Sequence, residues 1–292
     1  MKKYGFRIKS NRTGLIPILV TIIFLASFSG HGFAHEPLFG LGPHTIFKGG
    51  IGIESKFEKE HATGSLQIEG RTFLHTEIMY GITGNVAITL SAPTVLNHTQ
   101  TLGPDKISGS GIGDISLRTK YRFWRNDKPG MQNSAAVILG IKLPTGDYEI
   151  SPPLGSGSTD YLFAITAAHE SRRWYYFGDV RYRLNTRTNT VLYGNYLLAD
   201  AAFGVRPWLT EYMKPDLVVM IEANWESLER NKVAEGQIAD SGGKLLFISP
   251  GFFLTYRNWA FKGGLQIPVS RRLNGAQPKT DYRFALAIET HF

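Results

Sequence analysis

The sequence contains no cysteine among its 292 residues. Disulfide bonds and metal centres with thiolate ligands are therefore excluded. Beyond the N-terminal region, no apolar run reaches the roughly 20 residues that a transmembrane helix needs. An exported chain without disulfides must be stabilised by other means. A closed β-barrel, in which neighbouring strands pair every backbone group, provides one.

The N-terminal region has the features of an export signal. Residues 1–12 carry five bases and no acid, and residues 15–28 are mostly apolar. Gly32 and Ala34 supply the small side chains that signal peptidase requires, so we predict a signal peptide over residues 1–34. A retained membrane anchor is the alternative, but the apolar run is short for a bilayer span.

Removing this segment changes the meaning of the charge. The whole chain has a net charge of +8, but five of its 32 Lys and Arg residues lie in the first twelve positions. The mature chain would carry 27 bases against 24 acids, a net charge of +3. The basic pI therefore reflects export in part, and with no recognisable nucleic-acid-binding motif we expect no nucleic-acid partner.

The C-terminal residues alternate in polarity over residues 280–292. Tyr282, Phe284 and Leu286 fall on one face, and Arg283 and Glu289 fall on the other. Such alternation predicts a β-strand with one apolar face. A long alternating strand that ends on an aromatic residue is typical of outer-membrane barrels, whose last strand pairs with the first. The edge strand of a secreted β-sandwich is the alternative.

The same alternation recurs along the chain and predicts an all-β, antiparallel, up-and-down transmembrane barrel over residues 45–292. Residues 35–44, rich in Pro and Gly, are predicted to be a periplasmic lead-in that tucks into the barrel mouth. Long connections are predicted at 59–67, 98–110 and 146–158 among others, alternating with short turns as in known barrels. The twelve predicted strands are 45–58, 68–81, 85–97, 111–124, 132–145, 159–169, 173–185, 194–206, 216–228, 243–255, 259–270 and 280–292.

The polar faces of these strands predict the lining of the lumen. A twelve-stranded barrel is intermediate between filled and wide barrels, so these charges would border a narrow passage. They either attract anions toward a basic wall or pair across the lumen and keep it polar. The residues proposed to determine selectivity are Arg118, Lys120, Arg122, Lys142, Asp179, Arg181, Arg183, Glu222 and Glu226.

Other candidate sites are a loop and the histidines. The Pro- and Gly-rich residues 144–158 form either an inward-folding constriction or a plain loop. His35 and His44 on the lead-in could bind a metal through imidazole, although histidines on such a lead are usually solvated. His75 and Glu77 share a strand face and could belong to a barrel lipid hydrolase, but the sequence places no serine beside them.

Three stretches resemble a known family of outer-membrane proteins. They are Phe-Gly-Leu-Gly-Pro-His-Thr-Ile-Phe at 39–47, Lys-Leu-Pro-Thr-Gly at 142–146 followed by Pro-Pro-Leu-Gly-Ser-Gly-Ser-Thr-Asp at 152–160, and Trp-Tyr-Tyr-Phe-Gly-Asp-Val-Arg-Tyr-Arg-Leu-Asn at 174–185. The sequence resembles the family called the putative MetA-pathway of phenol degradation. The resemblance implies an outer-membrane barrel that transports small molecules, aromatic or hydrophobic compounds among them. It identifies no catalytic motif and no particular solute.

These observations predict a channel or transporter for small molecules in the bacterial outer membrane, with no enzymatic activity and no cofactor. The expected partners are outer-membrane lipid, a small-molecule solute and the barrel-assembly machinery, which would recognise the C-terminal strand. A structural or metal-binding envelope barrel without transport is the first alternative. A barrel lipid hydrolase is the second.

Overall fold

The computed structural model describes residues 36–188, 190–211 and 214–292. The predicted signal peptide and His35 lie outside the described residues. Strands make up the regular structure of the described chain, and no helix in it is long and apolar enough to cross a membrane. The strands are β1 (Ile51–Thr63), β2 (Gln67–Thr83), β3 (Val86–Leu102), β4 (Asp105–Ile112), β5 (Ser116–Lys128), β6 (Met131–Lys142), β7 (Asp160–Ser171), β8 (Trp174–Leu184), β9 (Tyr196–Val205), β10 (Asp216–Leu228), β11 (Lys232–Val233), β12 (Gly236–Gln237), β13 (Gly243–Tyr256), β14 (Trp259–Leu273) and β15 (Lys279–His291).

The sheet closes on itself as a twelve-stranded antiparallel barrel. Each barrel strand pairs with its two neighbours, and β1 pairs with β15 from Gly52↔His291 to Thr63↔Lys279. The strands β4 and β5 together occupy one position in the barrel. The C-terminal part of β3 pairs with β4, and its N-terminal part pairs with β5. The short β11–β12 hairpin lies outside the barrel sheet. The predicted fold class and strand number are confirmed.

The two ends of the barrel differ, and we name them by their connections. At the short-turn end, β2–β3, β5–β6, β7–β8 and β13–β14 are each joined by two residues. At the long-loop end, longer segments join β6 to β7 and β10 to β13. Two strand pairs also project as hairpins from the long-loop end, β1–β2 and β3–β4.

Several predicted boundaries were wrong, mostly at the long-loop end. The predicted loop 59–67 is largely strand, and the predicted loop 98–110 forms the β3–β4 hairpin. The first strand begins at Ile51 rather than at residue 45, and the fourth predicted strand is interrupted between Ile112 and Ser116. The projecting hairpins carry polar residues on both faces, so they lack the alternation by which strands are recognised in sequence.

The outer surface of the barrel is apolar. Along β15, Leu286 and Ile288 are 44% and 36% exposed, whereas the intervening Ala285 and Ala287 are 0% and 7% exposed. The aromatic and aliphatic residues on one face of β8 are also exposed, Trp174 and Tyr176 included. An apolar exterior around a polar interior is the pattern of barrels that face lipid. Exposed aromatic residues near the short-turn end, where interfacial girdles lie, include Tyr80, Tyr121, Trp124, Trp174 and Tyr176.

We predict that Leu286→Arg lowers the free energy of unfolding by about 2–4 kcal/mol, because the substitution places a charge near the middle of the apolar belt. The control is Leu102→Arg, the same change at a 60% exposed leucine beside the tip of the β3–β4 hairpin. Chemical unfolding of both variants in lipid vesicles gives the comparison. Equal losses would contradict the assigned facing of β15.

Candidate functional site

Three cavities lined by the described residues follow one another along β2 inside the barrel. Arg71, Phe73 and His75 line a cavity of about 530 Å³ near the long-loop end, which we call the vestibule. Glu77 lines a central cavity of about 170 Å³. Met79 lines both this central cavity and a third of about 440 Å³ at the short-turn end. The inward face of a single strand therefore follows the interior from one end of the barrel to the other.

Residues 36–47, which we call the plug segment, lie inside the barrel and obstruct this series. The Glu222 carboxylate accepts hydrogen bonds from three consecutive backbone N–H groups, those of Leu38, Phe39 and Gly40, at 2.8, 3.2 and 3.1 Å. Glu222 is 4% exposed. Three consecutive backbone donors thus converge on one side chain, which makes Glu222 an attachment point of the plug segment on the wall.

The neighbouring strands hold the same segment by further polar contacts. The Leu41 N–H donates to Asp179 Oδ2 at 2.8 Å, and Thr166 Oγ1 donates to the Leu41 carbonyl at 2.7 Å. Arg181 pairs with Asp179 at 2.8 Å and also donates to the Phe39 carbonyl at 3.3 Å. Buried backbone groups of an irregular segment need partners, and the wall of the lumen supplies them here.

At the short-turn end the plug segment is anchored by its two acid–base contacts. Lys120 Nζ lies 2.7 Å from Glu36 Oε1, and His44 Nε2 lies 2.6 Å from Glu170 Oε2. Burial alone would raise the pKa of Glu36, but Lys120 and then His44 outweigh it, so the pKa lies below its usual value. The backbone passes so close to Gly81 that a Cβ there would lie 2.0 Å from the Phe47 carbonyl oxygen.

The metal prediction on His35 and His44 stays a prediction, because His35 lies outside the described residues. Within the described residues, no three His, Asp or Glu side chains are grouped closely enough to hold a metal ion. His75 lies 3.9 Å from Glu58, and Glu77 pairs with Arg118. Among the hydrogen bonds of the described residues, none joins a serine hydroxyl to His75, whereas Ser91 hydrogen-bonds Glu77.

Ion pairs join neighbouring strands along the inner wall of the barrel. Arg118 Nη2 lies 2.5 Å from Glu77 Oε2. Lys262 Nζ lies 2.7 Å from both Glu54 and Glu289, which belong to different strands. Cations and carboxylates of adjacent or nearby strands thus pair along the wall of the lumen.

The nine residues predicted to line the lumen all lie on the inward faces of their strands, but they differ in what they contact. Asp179, Arg181 and Glu222 hold the plug segment, whereas Lys142 and Arg183 lie at the vestibule. Arg122 donates to the Gly84 carbonyl at 2.5 Å, close to the short-turn end. Their role in selectivity stays a prediction. The remaining partners are Arg118 with Glu77, Lys120 with Glu36, and Glu226 with Arg283.

Sequence analysis missed the charged inward face of β1. Glu54, Lys56, Glu58 and Glu60 alternate along this strand, and Glu60 accepts from Arg283 Nε at 3.0 Å. The strand had been predicted to end at residue 58, which divided the run between a strand and a loop. The alternation of Glu54, Lys56, Glu58 and Glu60 was the available signal.

The loop formed by residues 143–159 is fastened to the long-loop end of the barrel by Asp114. This carboxylate accepts from the backbone N–H groups of Gly146 and Ser156 at 3.0 and 2.8 Å, and from Lys142 Nζ at 3.0 Å. The Pro153 carbonyl also accepts a hydrogen bond from His98 Nδ1 at 3.1 Å. The loop therefore folds over the vestibule, where Leu154 and Ser156 form part of the lining.

Comparison with known proteins gives one family and one fold. The family model described as "Putative MetA-pathway of phenol degradation" matches residues 34–282. The crystal structure of an outer membrane channel from Pseudomonas putida F1 superposes with a TM-score of 0.67 at 12% identity, covering 89% of this chain and 100% of that one. The β domain of the Bordetella autotransporter BrkA reaches 0.49 at 9% identity, covering 82% and 98% of the two chains, and supports no further argument. No curated protein matches the sequence.

We predict that Glu222→Ala releases the plug segment and raises the single-channel conductance, because three backbone N–H groups lose their acceptor. Each hydrogen bond to a charged group contributes about 1.5–3 kcal/mol. Glu226→Ala is the control, since Glu226 lies on the same strand and face but binds Arg283. Planar-bilayer recordings make the comparison. Equal conductance of wild type and both variants would contradict a plug held by Glu222.

We predict that the loop over the vestibule stays docked from pH 7 to about pH 4 and is released below it. Burial alone would raise the pKa of Asp114, but the hydrogen bonds from Ser156, Lys142 and Gly146 outweigh it and lower the pKa. A lowered folded-state pKa stabilises the docked loop above the unfolded-state value, and this stabilisation is lost as the pH falls through the folded-state value.

The chain has no cysteine, so a spin label on Glu149→Cys, at an exposed position in the loop, reports docking directly. Asp114→Asn should increase the motion of the label already at pH 7. Asp105→Asn, at an exposed hairpin tip, is the control. A label whose motion is unchanged by the Asp114→Asn substitution at every pH would show that this carboxylate does not hold the loop.

Proposed function

We propose that this chain, which belongs to the family described as "Putative MetA-pathway of phenol degradation", is a passive channel for small molecules in the bacterial outer membrane. The short-turn end would then face the periplasm and the long-loop end the exterior. The segment 1–34 would direct export and be removed, and β15 would present the barrel to the assembly machinery. The aromatic compounds in the family's description make aromatic solutes the first class to examine.

The observation that carries the proposal is the series of three cavities along β2, interrupted by polar contacts. The plug segment joins the barrel wall through hydrogen bonds and ion pairs, and these are groups that water can also satisfy. Polar attachment permits displacement at a lower cost than an apolar core would, because the released groups become hydrated. A small solute would pass when the plug segment moves aside.

Two features support a role in permeation for the predicted lumen residues. Arg118 and Lys120 line the central cavity, and Lys120 and Arg122 line the cavity at the short-turn end. Rings of charge at such constrictions determine which ions enter. In this barrel the carboxylates offset the cations, so ion selectivity would arise from the balance within each pair. The proposed selectivity residues remain Arg118, Lys120, Arg122, Lys142, Asp179, Arg181, Arg183, Glu222 and Glu226.

Liposome swelling tests the channel directly. Vesicles that contain the reconstituted barrel should swell in solutions of small neutral solutes, and those containing Glu222→Ala should swell faster. Empty vesicles are the control. If wild type and Glu222→Ala both leave the vesicles impermeable, the transport function is excluded and a structural envelope protein becomes the better interpretation.

We predict that replacing Arg118, Lys120 and Arg122 together by Gln shifts the reversal potential toward cation preference, because Glu77 and Glu36 lose their partners. Lumen substitutions in barrels change selectivity more than stability. The control variant removes the same number of charges at exposed positions of the long-loop end, by replacing Lys106, Arg230 and Lys232 with Gln. The measurement is the reversal potential under a salt gradient. Identical values for wild type and both variants would show that the lumen cations do not govern permeation.

A further inference from the structure

The vestibule combines aromatic surface with positive charge. Three aromatic rings and the proline and leucine side chains of the overlying loop supply its apolar surface, and its volume of about 530 Å³ lies in the usual range for small-molecule sites. Three bases contribute to the same lining, together with two histidines. The rings and bases are Phe73, Tyr193, Tyr196, Arg71, Lys142 and Arg183.

Two of these bases are committed to neighbouring carboxylates. Arg71 donates to Glu69 Oε1 from Nε at 2.9 Å and from Nη2 at 2.6 Å. Lys142 lies 3.0 Å from Asp114 and 2.5 Å from Asp160. These ion pairs hold the wall and the loop together, so neither base has its full hydrogen-bonding capacity left for a ligand.

Arg183 differs from the other two. Its Nε lies 4.0 Å from Asp160 Oδ2, which is beyond hydrogen-bonding distance, and Asp160 already binds Lys142 more closely. No hydrogen bond from the Arg183 guanidinium is formed among the described residues, and the side chain is 41% exposed. The guanidinium carbon lies over the Tyr196 ring, 5.5 Å from its centre, which is within the range of a cation–π contact.

We propose that the vestibule recognises a small aromatic carboxylate, with the carboxylate bound by Arg183 and the ring packed against Tyr196, Tyr193 and Phe73. The planar guanidinium can bind both carboxylate oxygens at once while its face stays on Tyr196. This inference rests on the proposed channel function and names the class of solute that would be captured at its outer entrance.

The charges around the site favour an anion over a neutral or cationic solute. Asp114 lines the vestibule, but it accepts from Lys142 and two backbone N–H groups. Glu69 binds Arg71 and His98, and Asp160 binds Lys142 and Ser158. Each carboxylate near the vestibule is thus already compensated by donors, whereas the Arg183 charge faces the cavity with a distant partner.

The aromatic walls would bind an aromatic acid more tightly than an aliphatic one. Offset stacking and edge-to-face contacts between aromatic rings contribute about 0.5–1.5 kcal/mol beyond the burial of area. Phe73 and Tyr193 are contributed by different parts of the barrel, β2 and the β8–β9 connection, and both border the same space. A flat ring with one carboxylate therefore matches the vestibule in both shape and charge.

Binding of benzoate to the folded barrel in detergent tests the proposal without requiring transport. Titration calorimetry at pH 7 would compare benzoate with cyclohexanecarboxylate, which lacks the aromatic ring, and with benzyl alcohol, which lacks the charge. Wild type should bind benzoate most tightly. Arg183→Gln should weaken the affinity for benzoate by about tenfold or more, because a charged hydrogen-bond donor to the carboxylate is lost.

The variants are chosen to separate recognition from folding. Arg230→Gln removes an exposed arginine at the same end of the barrel and should leave binding unchanged. Arg183→Lys keeps the charge but not the planar fork and should bind benzoate with intermediate affinity. Phe73→Leu should weaken benzoate more than cyclohexanecarboxylate. Heat-modifiable migration in gels verifies that each variant is folded, and Arg183→Lys and Phe73→Leu carry the test if Arg183→Gln does not fold.

The proposal is overturned if wild type binds benzoate no more tightly than benzyl alcohol, or if Arg183→Gln and Arg183→Lys both bind it as wild type does. Its failure is distinct from that of the channel. Swelling of vesicles in a neutral solute without benzoate binding overturns the vestibule proposal and leaves the channel intact. Benzoate binding that depends on Arg183 in a barrel that conducts nothing supports the recognition site and overturns the channel.

Discussion

Pairing of the first strand with the last is the constraint on which the whole molecule depends. Between β1 and β15 the ladder runs over nearly the full length of both strands. An open edge in hydrocarbon would leave each unpaired backbone group at a cost of several kcal/mol. The same strand β15 supplies outward leucine and isoleucine and inward alanine, so one alternation serves both the lipid face and the packed interior. The enclosed lumen exists because this seam is shut.

Inside the barrel, ion pairs connect the strands, as apolar contacts do in the core of a soluble protein. Lys262 joins Glu54 to Glu289, and Arg283 joins Glu60 to Glu226, so each cation ties three strands together. Buried pairs gain little net stability over apolar contacts, but removing one partner leaves an uncompensated charge. Substitution of any single member of these ion pairs is consequently destabilising. The groups that contact the plug segment and the loop are also polar, and water can take their place.

Much of the architecture could be predicted from the sequence, because a barrel in lipid must alternate in polarity at every second residue. The strand number and the facing of β5, β8 and β15 followed from that requirement. The projecting hairpins could not be predicted, since strands outside the bilayer are free of it. The first charged run, Glu54 to Glu60, was divided because the strand becomes polar on both faces at Lys59 and Glu60.

The site itself could be predicted from the sequence only in part. The inward charges were identified by their strand faces, but their partners depend on the register between strands. Glu222 and Leu38 are separated by 184 positions in the chain, and the contact joins a carboxylate to backbone N–H groups. Backbone donors leave no mark on a sequence, so the attachment of the plug segment could not be inferred from residue types. The committed bases Arg71 and Lys142 and the less engaged Arg183 likewise look alike until their neighbours are known.

The plug segment adjoins the seam between the first and last strands directly, since it leads into β1. The Ile51 N–H donates to the carbonyl of Phe292, so the final residue of the chain meets the junction between plug segment and wall. The wall that holds the segment comes from strands as distant as β7, β8 and β10. In the closed sheet these strands lie on the side of the cylinder that faces β1. The plug segment, which leads into the seam, therefore connects the closing strand pair to the wall opposite it.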